Sequence, residues 1–126
     1  NFVSMPIGLL KQMIIYKASD AGIKTIMQEE SYTSQADITA MDYIPVYGVD
    51  AENAVFSGRR ISRSLYRCFN GMIINADCNG AANIMRKAIT DAWNSITDFS
   101  FLASPEVSGF HELNPLSISV KGIAAA

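Results

Sequence analysis

Three carboxylates stand at positions where reactive acids are commonly found: Glu29 and Glu30 in "QEESYTS", and Asp77 in "NADCNG". Acids brought together repel one another unless a cation neutralises them, and magnesium-dependent nucleases hold their metals between such groups. Ahead of Asp77 come Arg59, Arg60, Arg63 and Arg67, whose planar guanidinium groups are suited to gripping phosphate. Carboxylates with neighbouring arginines would suit phosphodiester chemistry on a nucleic acid. A plainer reading stands beside it: Glu29 and Glu30 as solvated strand-end residues, Asp77 as an acid placed for a helix dipole, and the arginines as a solvated face opposite an acidic insertion.

These groups can act only if the chain positions them. "SMPIGLLKQMIIYKASDAG" reads as a helix, with Ser4 able to cap, Pro6 suited to a first turn and Gly22 able to close the end. Ile7, Leu10, Ile14, Ala18 and Ala21 fall on one stripe at helical spacing. A strand is predicted over Ile23 to Gln28, leaving Glu29 and Glu30 at its C-terminal end. Strand ends and helix starts are places from which side chains converge on a site.

Residues 31–58 are broken by Pro45, Gly48 and Gly58 and read as an irregular, acidic insertion. In "GRRISRSLYRCFNGMIINAD" the Asn-Gly pair signals a β-hairpin. A second helix is predicted to begin near Asn79, just after Asp77, with Ala81, Met85, Ala88 and Ala92 on one face. From Ser95 onward the pattern fades, and a strand or two packing on the domain is the expectation for "FSFLA" and "LSISV".

Composition narrows the field. At 126 residues and 49% hydrophobic content, one globular domain is expected. A net charge of -2 argues against nucleic-acid binding through overall charge and leaves only a local basic patch. Cys68 and Cys78 are too few for a disulfide scaffold or a four-thiolate metal site, and a reducing cytosol is the simplest setting. Lys11 and Lys17 interrupt the opening apolar run, and no stretch of about 20 apolar residues would span a bilayer. The chain opens at Asn1 directly into apolar sequence, which suggests a piece of something longer.

Taken in order, Met5–Leu10, Tyr16–Ala18, Gly22–Ile23, Glu29–Ser34, Gly58–Tyr66 and Ile74–Ile84 resemble the C-terminal part of TnpB, the OrfB-type protein of bacterial insertion sequences. The resemblance covers residues 1 to about 87 well and the tail only loosely. It implies an RNA-guided DNA endonuclease, historically described as a transposase and related to the type V CRISPR effectors. The implied fold is α/β, part of an RNase H-like (RuvC-type) nuclease with an inserted hairpin module related to a zinc ribbon. Residues 1–34 would belong to the RuvC-like part, 35–75 to the inserted target-nucleic-acid-binding module and 76–94 to the final RuvC-like helix, with 95–126 an unassigned tail.

In that family three carboxylates hold two magnesium ions. Asp77 matches the last of them, and the first is expected upstream of Asn1. The middle one usually lies on an upstream strand, but a subset of relatives resembles this chain in placing a glutamate just before "YTS", which makes Glu30 the expected ligand and Glu29 its stand-in. DNA and guide RNA are the implied partners, the bacterial cytoplasm is the implied location, and Arg59, Arg60, Arg63 and Arg67 are the implied DNA contacts.

The chain departs from the usual relative in its cysteines. The family's cysteine pairs after "YTS" and around "Y-x-C" are reduced to Cys68, which argues against zinc. The hairpin is then expected to hold by packing of Ile61, Leu65, Tyr66, Phe69 and Ile73, with both cysteines as small buried residues. Thr33 is expected to cap the turn after Glu30, Trp93 to finish a core-facing helix, and His111 to play no catalytic part. The same residues also fit a non-catalytic binding module left over from such an element.

Overall fold

The computed structural model describes residues 6–109. Helix α1 spans Ile7–Asp20. Pro6 takes its N-cap position without a side-chain bond, and Ser4 lies outside the described residues. The helix closes as expected at Gly22, whose φ of +75° lets its N–H reach Ser19 O at 3.0 Å while Ile23 N reaches Ala18 O at 2.7 Å. None of its residues is buried, so the apolar stripe faces outward.

The strand expected over Ile23–Gln28 does not form. These residues have no regular secondary structure, and Ile23, Ile26 and Met27 are exposed. A strand persists only where a neighbour satisfies its backbone groups, and no described strand lies beside this one.

The sheet comes later in the chain. Strands β1 (Arg59–Arg60), β2 (Leu65–Arg67) and β3 (Ile73–Asn75) form an antiparallel sheet in the order β1-β2-β3. The β2–β3 turn is the expected hairpin: Gly71 N bonds Cys68 O at 3.0 Å, and Cys68 N bonds Met72 O at 2.8 Å. Gly71 alone in this loop has positive φ, at +84°, giving a three-residue Phe69-Asn70-Gly71 connection instead of the two-residue Asn-Gly turn.

Side chains alternate across a strand, so register decides which apolar residues are buried. Tyr66 and its partner Ile74 point inward and are fully buried, whereas Ile61, Leu65, Phe69 and Ile73 remain substantially exposed. The hairpin therefore packs through Tyr66 and Ile74 and not through the wider expected set. Ile38, Cys68, Ala76, Ala82, Phe99 and Leu102 complete the core. Gly58 crosses over Tyr66 so closely that an added Cβ would lie 2.5 Å from Tyr66 Cε1 and 2.6 Å from Arg67 O. The Tyr66 hydroxyl donates to Gln35 O at 2.7 Å, and burial raises its pKa.

Helix α2 runs Ala76–Ala88, starting three residues before the expected Asn79. Asn75 caps it, its Oδ1 accepting from Asp77 N at 2.9 Å and Cys78 N at 3.0 Å. Asp77 therefore lies within the first turn and not ahead of the helix. The buried face is Ala76, Asn79, Ala82 and Asn83, while Ala81 and Met85 point outward. Two asparagines look like outward-facing residues in a hydrophobicity pattern, but here their amides bind the loop before the sheet. Asn79 Oδ1 accepts from Ile38 N at 3.1 Å and Nδ2 donates to Ala36 O at 2.8 Å. Asn83 Nδ2 donates to Thr33 O at 3.0 Å and Ala36 O at 2.7 Å.

The irregular stretch 31–58 is thus a set of turns built around buried polar groups. Beyond α2, Trp93 sits in a turn, its indole N–H donating to Ala82 O at 2.9 Å and its ring meeting Phe99 edge-on. A short 3-10 helix, Ser100–Ala103, buries Leu102 where a strand had been expected. "LSISV" and His111 lie outside the described residues.

Candidate nucleic-acid interface and carboxylates

Asp77 projects from the first turn of α2 with its side chain 84% exposed, and Arg60 Nη2 lies 3.6 Å from its Oδ1. Arg60 also folds over its own turn, donating from Nε to Ser62 O at 3.1 Å and from Nη2 to Arg63 O. An exposed pair at this distance contributes at most about 1 kcal/mol, so Asp77 stays open to another partner.

The two adjacent glutamates differ in role. Glu29 Oε1 accepts from Ser31 N at 2.6 Å and Oε2 meets Lys87 Nζ at 2.5 Å, a lysine whose side chain is only 10% exposed. The Lys87 bond, followed by the Ser31 contacts, holds the Glu29 carboxyl down at about 2. Glu29 is a tether. Glu30 is exposed, and among the described residues no hydrogen bond or ion pair engages its carboxylate. Its backbone carbonyl accepts from Thr33 Oγ1 at 2.6 Å and Thr33 N at 3.1 Å, the turn cap expected of that threonine.

Segment 29–38 runs antiparallel along α2, with Glu29 at Lys87, Thr33 at Asn83 and Ile38 at Asn79. Lys87 and Asp77 are ten residues apart on that helix, about 15 Å along its axis. The tether thus draws the Glu29–Glu30 pair toward one end of α2 while Asp77 marks the other. Exposed carboxylates are the right kind of donor for a hard cation. Among the described residues, however, no group of three His, Cys, Asp or Glu is placed to hold a metal, so these residues alone fall short in number.

Of the four arginines, Arg59 and Arg67 are direct cross-strand partners. All four are exposed, and of them only Arg60 has an ion pair among the described residues.

Two features of this region escaped sequence reading. Asp37 is fully buried, its Oδ1 accepting from Thr39 N at 2.9 Å and Thr39 Oγ1 at 2.7 Å, and its Oδ2 from Phe69 N at 2.7 Å. Asp42, also buried, accepts from Asp37 N at 2.9 Å and from Ser57 N at 2.8 Å and Oγ at 2.5 Å. The turn after "YTS" and the turn after "Y-x-C" are joined by a carboxylate. An aspartate amid small polar residues gives little sign of burial in a sequence. Cys68 lies beside this network as a free buried thiol pushed up to about 11 by burial, and Cys78 is half-buried and free.

A family model for the Cas12f1-like TNB domain matches residues 8–84, more than half of the chain. The chain belongs to that family. The matched TNB region takes in α1, the turns, the sheet and most of α2. Among curated proteins, this TNB chain is 38% identical over 76 residues to the CRISPR-associated endodeoxyribonuclease Cas12f1 of Sulfoacidibacillus thermotolerans, covering 60% of the chain. It is 34% identical over 88 residues to the CRISPR-associated endodeoxyribonuclease Cas12f2 of Micrarchaeota archaeon (strain CG1_02_47_40), covering 65% of the chain. The matches span only 15% and 14% of those relatives' own lengths. No solved structure matches. The kinship with TnpB- and Cas12-type proteins expected from the motifs therefore holds.

Proposed function

We propose that this chain is the TNB-bearing C-terminal part of an RNA-guided DNA endonuclease encoded by a bacterial insertion sequence, in the manner of TnpB. Its relatives are named endodeoxyribonucleases, which supports nuclease chemistry on DNA for the parent protein. In this reading Asp77 and Glu30 would each contribute oxygen ligands to magnesium. A further carboxylate would come from outside these residues, on a RuvC-type sheet. The metal would supply an activated water and neutralise charge at the phosphate. The chain's own part is to present Glu30, whose carboxylate has no partner among the described residues, and Asp77, held only by an exposed pair with Arg60, and to hold the strand through Arg59, Arg60, Arg63 and Arg67.

The observation that carries this reading is the contrast between Glu29 and Glu30. Lys87 occupies Glu29, so of the two adjacent acids only Glu30 is free to meet a cation. Residues 23–30 lack a sheet partner here, and pairing with a nuclease sheet would have to open the Glu29–Lys87 bond to bring Glu30 from the far end of α2 toward Asp77.

The separation of Glu30 from Asp77 along α2 favours a second reading, a binding module without catalysis. In the full-length protein with guide RNA and magnesium, Glu30→Gln and Asp77→Asn should each abolish cleavage and leave DNA binding near normal. Cleavage by Glu30→Gln at the parental rate removes Glu30 from the site, parental cleavage by both variants removes both residues from it, and DNA binding by the parental protein with no magnesium-dependent cleavage supports the second reading.

A further inference from the structure

The arginine face carries more than phosphate donors. A cleft of about 450 Å³ lies between residues 56–59 and 67–69, lined by Phe56, Gly58, Arg59, Arg67 and Phe69 among others. We propose that this cleft takes one unpaired nucleotide of a nucleic-acid strand, its base stacked on Phe69 and its phosphate held between Arg59 and Arg67. This rests on the nucleic-acid-binding reading above and adds a base site to it.

Three observations converge. First, Arg59 and Arg67 are register partners on adjacent strands, and like charges directly opposite are unfavourable unless an anion lies between them. Among the described residues neither arginine has an ion pair. Second, Phe69 is 59% exposed on the same cleft, at the tip of a turn where no packing requires a large apolar ring. An aromatic face beside paired cations is the arrangement that binds single strands, because every base has a π-face and every nucleotide a phosphate. Third, both walls are held rigid from beneath. Asp37 fixes the Phe69 backbone N–H, and Asp42 fixes Ser57, next to Phe56, whose ring stacks on Tyr32 at 6.5 Å. A buried carboxylate clamp under each wall preorganises the cleft, which lowers the cost of binding.

The test uses the full-length protein with its guide RNA and a single-stranded DNA oligonucleotide carrying 2-aminopurine, titrated at several salt concentrations. Guide-RNA loading is measured in parallel. Stacking on an aromatic ring contributes about 1–3 kcal/mol per base, so Phe69→Ala should weaken binding by about 5- to 150-fold and restore 2-aminopurine fluorescence. Its salt slope should not change. Phe69→Trp should bind as the parent does, which separates loss of stacking from loss of folding. Arg67→Ala should flatten the log-log salt slope by about 0.7.

A Phe69→Ala defect in DNA binding assigns the nucleotide to the target, and a defect in guide loading assigns it to the guide. If Phe69→Ala binds both strands normally while Arg67→Ala flattens the slope, the base site is refuted and the phosphate contacts stand. If neither variant changes anything, both ideas fail.

Discussion

Asp37 and Phe69 are separated by 32 positions, yet the carboxylate of one accepts a 2.7 Å hydrogen bond from the backbone N–H of the other. This bond ties the turn after "YTS" to the hairpin turn, the two segments where the resembling family carries its cysteine pairs. A zinc ion would pull such turns together through thiolates. Here one buried acid, satisfied by three donors, makes the link.

Asp37→Ala should therefore cost about 3 kcal/mol or more, because it strands buried donors that were bonded to a charged acceptor. Asp37→Asn, which keeps one acceptor oxygen, should cost less. Urea denaturation is the measurement, with the midpoint falling and the slope unchanged. A chelator should leave the parental midpoint where it is. A fall on chelation would mean that a metal and not the carboxylate joins the turns.

Much of this was legible in the sequence, and the misses have physical causes. α1 with its Gly22 closure, the hairpin at "FNG" and the Thr33 cap were readable because local chemistry fixes them. The strand over Ile23–Gln28 failed because β structure depends on a neighbour that local pattern cannot supply. The face of α2 was misjudged because Asn79 and Asn83, polar residues, are buried to satisfy distant carbonyls. Of the candidate site, the residue types at Glu30, Asp77 and the arginines were visible. The tether on Glu29, the opposed pair Arg59 and Arg67, and the role of Asp37 depend on tertiary contacts and were not.

Gly58 should be intolerant of any side chain. A Cβ there would press on the ring of fully buried Tyr66 and on the Arg67 carbonyl, neither of which can retreat without disturbing β2. Overpacking of this kind costs about 1–3 kcal/mol. Gly58→Ala should lower the thermal midpoint and alter the near-ultraviolet circular dichroism of Tyr66. An unchanged midpoint would show that the backbone at Gly58 does not pass this close to Tyr66.

The bond between Glu29 and Lys87 should make the 29–31 turn sensitive to acid in a defined window. The folded chain holds the Glu29 carboxyl at about 2 against its ordinary value of 4.5, chiefly through the Lys87 bond and then through Ser31. A carboxylate whose pKa falls on folding contributes fully above its ordinary value and loses that contribution as pH drops toward the folded value. The tether should thus be complete at neutral pH and fade between about 4.5 and 2. The amide of Ser31, bonded to Glu29 Oε1, is the local reporter. Its NMR shift should titrate near the lower value in the parent and move toward the upper one in Lys87→Met. It should also move upward in high salt, because the pair is open to screening ions. Glu29→Gln should abolish the titration, and a parental midpoint at the ordinary carboxylate value would show that Lys87 does not hold Glu29 in solution.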